Sequence, residues 1–374
     1  MKRTLPVKPK RIVVKVGTGI LTRPDYHLNK AWIRRLTDQL AKLAKTGVEL
    51  ILVSSGSIGA GTGMLKLAAR PKLLPQQQAA AAIGQGQLMK VYDTFFKRHN
   101  ILTAQVLLTR EDLSSRKRYL NAKNTLYTLL SYQAIPIINE NDTVSVDEIK
   151  FGDNDKLSAL VAALVHADLL IMLSDVDGLY ALPPANAQSK QQVIPVVREI
   201  CPEIEKMASS SSTELGTGGM LSKIEAVKIC CSAGIACVIA NGRRAAVIDQ
   251  ILSGEKVGTL FLPKPGQLVA KKRWIGFSAK VKGVIIVDQG ARQALVEKNR
   301  SLLPKGVIRT SGNFTVGDPV SILDSKNQEF ARGLSNYSCA ELNKIKLLNT
   351  DQIKNKLGYK YYDEVVHRNN LVIL

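Results

Sequence analysis

The chain has 374 residues and an apolar share of 45%, enough for two or three domains with cores of their own. Its 52 basic and 31 acidic residues give a net charge of +21, which is high for an enzyme that acts on small molecules. The excess is densest in residues 268–374, which carry 18 basic and nine acidic side chains. This charge permits contact with nucleic acid, although solvated lysines that keep a protein soluble give the same pattern.

Composition also excludes a membrane protein and a fold held by disulfides. The basic N-terminus is similar to the start of a signal peptide, but Lys15 and a glycine-rich turn interrupt its apolar stretch. No other run approaches the roughly 18 apolar residues that span a bilayer. The five cysteines are odd in number and lack CxxC spacing, so we expect buried free thiols and no zinc site. We therefore expect a cytoplasmic protein.

The first predicted strand, residues 12–16, carries Lys15 and runs into a Gly-Thr-Gly turn. Glycine lets backbone amides approach a phosphate, and a lysine beside them adds positive charge. The same turn is also an ordinary connection after a strand. Apolar residues at helical spacing then predict a helix over 32–44, followed by a buried strand at 48–53. The small and hydroxyl residues at 54–61 suit an anion, unless they form only a flexible linker.

Continued alternation of strands and helices predicts a mostly parallel sheet with helices on both faces, which is a three-layer α/β/α sandwich. The predicted helices lie at 76–97, 118–130 and 157–165, and the predicted strands lie at 101–108, 134–137 and 169–173. Ligands bind to open α/β sheets at the carboxyl ends of the strands. The site is therefore expected in the loops that follow the strands.

Two clusters of Asn, Asp and Glu side chains lie where such a site is expected. Residues 139–142 follow the strand at 134–137, and Asn154 and Asp155 precede the helix at 157–165. Buried polar groups need partners, but Asn and Asp also form turns and cap helices. Two such clusters in succession favour a ligand-binding site over turns alone.

A loop of small polar residues, 208–219, leads into a predicted helix that carries Lys223 in its first turn. A glycine-rich loop that opens a helix is a phosphate-binding arrangement in kind, although the Walker spacing is absent. A lysine in the first turn is unfavourable, because the helix dipole favours acids there. Its position is easier to explain if a bound polyphosphate supplies the negative charge.

The character of the chain changes after a Pro- and Gly-containing stretch at 263–272. Short strand-like runs separated by turns follow, at 283–288, 306–309, 320–323 and 330–334. This pattern predicts a separate small β barrel or sandwich.

Taken together, the loops resemble the glutamate 5-kinase branch of the amino acid kinase family, whose members end in a PUA domain. The order and spacing of the motifs carry the resemblance, since no single motif decides it. The motifs are VKVGTG (14–19), VSSGSIGAG (53–61), LLTR (107–110), INEND (138–142), GDND (152–155), SDVDGLY (174–180), GTGGMLSK (216–223), SLLPKGV (301–307) and GNFTVGD (312–318).

The resemblance implies an amino acid kinase fold followed by a small all-β PUA barrel. It implies limits of 1–262 for the catalytic domain, 263–273 for a linker, 274–353 for the PUA domain and 354–374 for an extension packed on that domain. The implied reaction is ATP-dependent phosphorylation of the side-chain carboxylate of L-glutamate to L-glutamyl 5-phosphate, the first step of proline synthesis. ATP and Mg²⁺, feedback inhibition by proline and a homo-oligomer (dimer or tetramer) are implied as well.

The resemblance also assigns residues. Lys15 and Lys223 are expected to neutralise the transferring phosphoryl group, with Asp155 holding both lysines in place. Glutamate is expected to bind Ser55, Asp142 and Asn154. The residues expected to line the nucleotide site are Lys15, Ser174, Asp175, Thr217, Gly218, Gly219, Met220, Leu221, Ser222 and Lys223. No protein ligand for the metal is predicted.

Two alternatives remain open on the sequence. Acetylglutamate, aspartate, carbamate and uridylate kinases share the implied fold and the two-lysine logic, so the acceptor could differ. The second alternative is an RNA-binding protein, because PUA domains commonly contact RNA and the C-terminal third is basic. The PUA-like tail and the pairing of INEND with GDND favour glutamate.

Overall fold

The computed structural model describes residues 3–144, 154–181, 192–209, 219–263, 274–360 and 362–374. The chain forms two compact units, one comprising Met1–Asp112 with Lys117–Gln267 and the other Leu113–Arg116 with Leu268–Leu374. The finer domain limits stay a prediction. Within the described residues, no helix is both long and apolar enough to cross a membrane. The cytoplasmic location also stays a prediction.

The first unit alternates strands with helices. Its strands are β1 (Arg11–Val16), β2 (Glu49–Ser54), β3 (Thr103–Leu108), β4 (Ile135–Glu140), β5 (Leu169–Ser174), β6 (Val196–Val197), β7 (Ala236–Asn241) and β8 (Thr259–Phe261). Its helices are α1 (Thr18–Leu21), α2 (Lys30–Ala44), α3 (Ser57–Met64), α4 (Leu74–Lys97), α5 (Arg110–Ser114), α6 (Arg116–Ser131), α7 (Asn154–Val165), α8 (Pro202–Ser209), α9 (Met220–Ser232) and α10 (Val247–Leu252).

These strands form one sheet in the order β3-β4-β2-β1-β5-β7-β8-β6. All neighbouring pairs are parallel except β7 with β8, so the prediction of a mostly parallel sheet is confirmed. Strand β1 lies between β2 and β5, and Val16 at its end is in register with Ser54 and Leu173. The loops that follow these central strands therefore start at one edge of the sheet.

The two faces of β1 meet different helices because successive side chains alternate across a strand. Ile12, Val14 and Val16 lie in a buried apolar cluster that includes Trp32 and Leu36 of α2. Lys15 points to the opposite face. Helix α7 packs against β1 and β5 and contacts α9, so both helices bring side chains to the sheet near Lys15.

Helices α3 and α4 approach closely, and glycine makes this possible. A Cβ at Gly61 would lie 1.8 Å from the carbonyl oxygen of Ala80, and a Cβ at Gly84 would lie 1.9 Å from that of Ser57. No other residue fits such distances. Helix α3 begins directly after β2, and Gly56 between them has a φ of +102°.

The second unit contains a separate sheet of five strands in the order β10-β9-β11-β12-β13. They are β9 (Gly283–Val287), β10 (Val307–Gly312), β11 (Pro319–Leu323), β12 (Glu329–Leu334) and β13 (Leu371–Ile373). Its helices are α11 (Gln289–Val296), α12 (Cys339–Ile345) and α13 (Ile353–Leu357). These strands and helices enclose a buried core that belongs to the second unit and includes Ile285, Phe314 and Leu342. The predicted small β-rich domain is confirmed.

Some expectations need correction. Helices α4, α6 and α7 begin earlier than predicted, because their first turns are polar or irregular and do not show the apolar period. All five cysteines are free, but only Cys230, Cys231 and Cys237 are buried. Cys201 and Cys339 are half-buried, so the prediction of buried thiols was wrong for these two.

Candidate active site

A buried carboxylate between two lysines lies at the centre of the first unit. Asp155, in the first turn of α7, is fully buried, while Lys15 of β1 and Lys223 of α9 are each 6% exposed. Lys223 Nζ lies 3.2 Å from Asp155 Oδ2, and Lys15 Nζ forms an ion pair with Oδ1. Three elements that are far apart in sequence thus meet at one carboxylate.

The surroundings of Asp155 keep it ionised. Burial raises its pKa, but the charges of Lys15 and Lys223 and hydrogen bonds outweigh that effect and lower the pKa to about 2. One of these bonds comes from Ser222, whose Oγ donates to Asp155 Oδ2 at 2.8 Å. The first turn of α7 adds a favourable dipole. The carboxylate therefore stays charged throughout the neutral range.

This arrangement changes the explanation of Lys223. From the sequence alone, a bound polyphosphate is the simplest explanation of a lysine in the first turn of a helix. In the structure, Asp155 supplies the negative charge. Asp155 itself stands where a helix dipole favours an acid, so the pair resolves the unfavourable position of Lys223 without a ligand.

A cavity of about 480 Å³ opens beside this cluster. Its lining comes mainly from the loops that follow β1, β2, β4 and β5. The lining residues are Thr18, Gly19, Thr22, Arg23, Pro24, Tyr26, Ser55, Gly56, Ser57, Ile58, Gly59, Arg70, Asn139, Glu140, Asp142, Asn154, Asp175 and Arg243. Asn154 precedes Asp155 in the chain, so the cavity reaches the residue next to the buried carboxylate. The three predicted substrate residues, Ser55, Asp142 and Asn154, all line it.

Asn154 is held by a buried hydrogen-bond network. Its Nδ2 donates to Ser55 Oγ and to Asn139 Oδ1, both at 2.9 Å. Asn139 in turn donates to Gln85 Oε1 at 2.9 Å. The Oδ1 of Asn154 is buried and accepts no hydrogen bond within the described residues. A buried acceptor without a donor is unfavourable, so this oxygen is suited to a ligand N–H group.

Asp142 is one of three carboxylates that line the cavity, with Glu140 and Asp175. Burial raises its pKa, an effect that a hydrogen bond from Ser57 and the charge of Arg70 only partly offset. Ser57 Oγ donates to Asp142 Oδ2 at 2.7 Å. Among the described residues no cation lies within ion-pair distance of Asp142. A positively charged ligand group would stabilise its ionised form.

The predicted nucleotide residues are only partly brought together. Ser174 is buried, and its Oγ donates to Asp175 Oδ1 at 3.2 Å, while Asp175 lines the cavity. Gly219 precedes α9, where Ser222 and Lys223 bind Asp155. Met220 is buried, Leu221 is 48% exposed, and Thr217 and Gly218 lie outside the described residues.

Comparison with known proteins identifies the chain's relatives. The sequence profile of the amino acid kinase family matches residues 10–241, and that of the PUA domain matches residues 283–357. The glutamate 5-kinase of Caldanaerobacter subterraneus is 53% identical over 364 residues, covering 97% of this chain and 98% of that protein. The glutamate 5-kinase of Syntrophotalea carbinolica is 46% identical over 373 residues and covers both chains completely. The chain belongs to the glutamate 5-kinase family.

Family membership confirms the fold expected from the resemblance. An amino acid kinase unit with a mostly parallel sheet is followed by a PUA unit with a sheet of its own. The UMP kinase of Bacillus anthracis aligns with 70% of this chain and all of its own at a TM-score of 0.45 and 14% identity, too distant to inform the site.

Several residues that line or support the cavity of this glutamate 5-kinase family member were missed from the sequence. Ser57 belongs to the small-residue loop after β2, and Asn139 belongs to the polar cluster that begins at the end of β4, so both lay inside segments that were recognised. Gln85 looks like an ordinary residue of a long helix. Arg70 lies between α3 and α4, far from every motif, and no sequence signal pointed to it.

Proposed function

We propose that this chain transfers the γ-phosphoryl group of MgATP to the side-chain carboxylate of L-glutamate, giving L-glutamyl 5-phosphate in the first step of proline synthesis. The observation that carries the proposal is the Lys15–Asp155–Lys223 cluster beside a cavity with an acidic, hydrogen-bonding wall. Family membership agrees with it, since the curated relatives are glutamate 5-kinases.

The chemistry needs charge and alignment more than a base. A carboxylate acceptor is already ionised at neutral pH, because the pKa of such a group is about 4.3. Catalysis then consists of placing it in line with the phosphoryl group and stabilising the charge that develops. Lys15 and Lys223 would supply that stabilisation. Asp155 would keep both ammonium groups charged and aimed.

The nucleotide would bind through Ser174, Asp175 and the segment 217–223, with Lys15 and Lys223 at its terminal phosphate. Mg²⁺ would arrive on the nucleotide as part of the substrate MgATP. In that complex the metal would neutralise phosphate charge. Ser222 would serve indirectly, because its hydroxyl donates to Asp155 and fixes the carboxylate that faces both lysines.

Glutamate would occupy the 480 Å³ cavity. Its ammonium group would bind Asp142 and the free Oδ1 of Asn154, because the half-buried carboxylate and the buried amide oxygen are acceptors that lack a cationic partner in the described structure. Ser55, already bonded to Asn154, would position this contact. The side-chain carboxylate would then extend toward Lys15.

The same residues of the cavity would distinguish between possible acceptor substrates. An N-acetylated amino acid has no ammonium group, so it would cover the half-buried Asp142 without supplying a compensating charge. The site therefore favours free glutamate over acetylglutamate. Aspartate keeps the ammonium group but is one methylene shorter, which would hold its carboxylate farther from the lysines.

Further partners are proposed at a coarser level. Proline carries an ammonium and a carboxylate as glutamate does, so we propose that it inhibits by competing for the same cavity. We also propose a homo-oligomer, dimer or tetramer. The PUA unit is an RNA-binding fold and lies in the basic third of the chain, so RNA contact is proposed as a secondary property.

The direct test is ADP release from MgATP with hydroxylamine present to trap an acyl phosphate. We expect release and hydroxamate formation with L-glutamate, little with L-aspartate and none with N-acetylglutamate or without acceptor. Equal release with and without L-glutamate, or hydroxamate formed preferentially from another acid, would overturn the assignment of the substrate.

A further inference from the structure

The cavity contains one cation whose role the proposed reaction leaves open. Three arginines line it: Arg23, Arg70 and Arg243. Arg23 forms an ion pair with Asp25 at 2.7 Å, and Arg243 donates to the carbonyl oxygen of Gly19 at 3.2 Å. For Arg70, the described structure contains neither a hydrogen bond nor an ion pair.

The position of Arg70 is also energetically unfavourable. It is half-buried in the segment between α3 and α4. Burial lowers its pKa, an effect that the charge of Asp142 partly offsets. A guanidinium that has lost part of its hydration without gaining a partner is unfavourable. Such a group is suited to an anionic ligand, and its fork of donors matches a carboxylate.

The charges of the cavity follow the pattern of an α-amino acid. Asp142 and Arg70 influence each other electrostatically, yet they form no ion pair within the described structure. Asp142 and Arg70 are therefore an anion and a cation of the same cavity wall that do not satisfy each other. An α-amino acid bears an ammonium and a carboxylate on the same carbon, so it could satisfy both groups at once.

We infer that Arg70 binds the α-carboxylate of the amino acid substrate and thereby sets specificity for α-amino acids. This inference rests on the proposed function, in which Asp142 and Asn154 take the ammonium group of the same molecule. The opposite end of the substrate, the carboxylate that is phosphorylated, lies toward Lys15. Arg70 thus acts on binding and not on phosphoryl transfer.

The inference is tested by pairing enzyme variants with a matched substrate. 4-Aminobutanoate is L-glutamate without its α-carboxylate, and it keeps the ammonium group and the carboxylate that is phosphorylated. Arg70→Ala should lower kcat/KM for L-glutamate about 10- to 150-fold, the range expected for a lost hydrogen bond to a charged group. The loss should come mainly through KM, while KM for MgATP stays unchanged.

The decisive quantity is the ratio of kcat/KM for L-glutamate to kcat/KM for 4-aminobutanoate. Arg70→Ala should leave kcat/KM for 4-aminobutanoate unchanged, so the preference for glutamate falls by the same factor. If turnover of 4-aminobutanoate is too slow to follow, its inhibition constant against glutamate serves instead. Arg70→Lys keeps the positive charge but lacks the paired donors of the guanidinium group. It should therefore retain part of the preference for L-glutamate over 4-aminobutanoate. Lys72→Ala is the control, because it removes an exposed charge from the same segment.

Other outcomes would overturn the inference. An equal loss for both substrates would make Arg70 a structural residue, and no loss for either would mean that other groups hold the α-carboxylate. If Arg70→Ala fails to fold, the same ratio in Arg70→Lys decides. A wild-type protein that does not phosphorylate glutamate would refute the proposed function, whereas a glutamate kinase whose preference survives Arg70→Ala would refute this inference alone.

Discussion

Asp155 illustrates how one buried carboxylate organises two cations. A lone buried lysine loses hydration that only an opposite charge can replace. Here each ammonium group faces one oxygen of the same carboxylate, and Ser222 adds a hydrogen bond to it. Because the pKa of Asp155 is lowered to about 2, this support does not titrate at working pH. The lysines are therefore held in fixed positions before any substrate binds.

Asp142 should behave differently, because burial raises its pKa. Only its ionised form attracts an ammonium group, so glutamate binding should weaken as pH falls toward this raised pKa. We predict that KM for L-glutamate rises as pH is lowered from neutral toward the raised pKa of Asp142, at pH values above the carboxyl pKa of glutamate itself, about 4.3. Steady-state kinetics at a series of decreasing pH values, with MgATP saturating, measures the effect.

The matched variant for this prediction is Asp142→Asn. It should have a high KM for glutamate at every pH and little remaining pH dependence, since the titrating group is gone. A KM with the same pH dependence in the wild type and in Asp142→Asn would contradict the role of Asp142 in binding the ammonium group.

Some residues could be predicted from the sequence and others could not. Lys15, Asp155 and Lys223 lie in segments whose residue types already indicated phosphate chemistry, and the structure brings them together. The contact between Lys223 and Asp155 joins residues 68 positions apart, which local patterns do not reveal. No sequence pattern indicated a role for Arg70, because a lone arginine in a connecting segment looks like any solvated charge.

At the scale of elements, strands were predicted better than helix starts. The buried strands of a parallel sheet are continuous apolar runs, which are easily recognised. Helix α7 starts at Asn154, three residues before the apolar run that predicted it. Its first turn is polar because it carries the site. The difference between prediction and structure therefore falls on residues whose types are set by the site and not by packing.

The α3–α4 contact gives a test at this scale. Gly84→Ala should destabilise the protein by about 1–3 kcal/mol, because the new Cβ would lie 1.9 Å from the carbonyl oxygen of Ser57. Since Ser57 donates to Asp142, KM for glutamate should rise as well. Denaturant unfolding and steady-state kinetics measure the two effects.

Gly86 provides the control in the same helix. A Cβ there meets nothing within 4 Å, so Gly86→Ala should stabilise the protein by about 0.5–1 kcal/mol through helix propensity, without changing KM. Equal behaviour of the two variants would show that the close approach of α3 and α4 is not what constrains Gly84.

At the scale of the whole molecule, the change from long alternating elements to short strands predicted two units with different architecture. Their cores are separate clusters, and every residue of the lysine cluster and the cavity belongs to the first unit. The order of strands was not predictable, because β1 pairs with β2 and β5, and the β5 pairing spans more than 150 residues. The high positive charge of the C-terminal third lies in the second unit, whose residues do not line the cavity.

The role of Lys223 in phosphoryl transfer is tested most directly by measuring hydroxamate formation from L-glutamate and MgATP. Lys223→Ala is compared with Lys228→Ala. Both lysines lie on α9, but Lys228 is half-buried and pairs with Glu205. We predict that Lys223→Ala keeps its fold by circular dichroism and loses about 10²- to 10³-fold in turnover, as expected for one lost stabilising donor. Lys228→Ala should match the wild type. Near-normal turnover in folded Lys223→Ala would contradict the account.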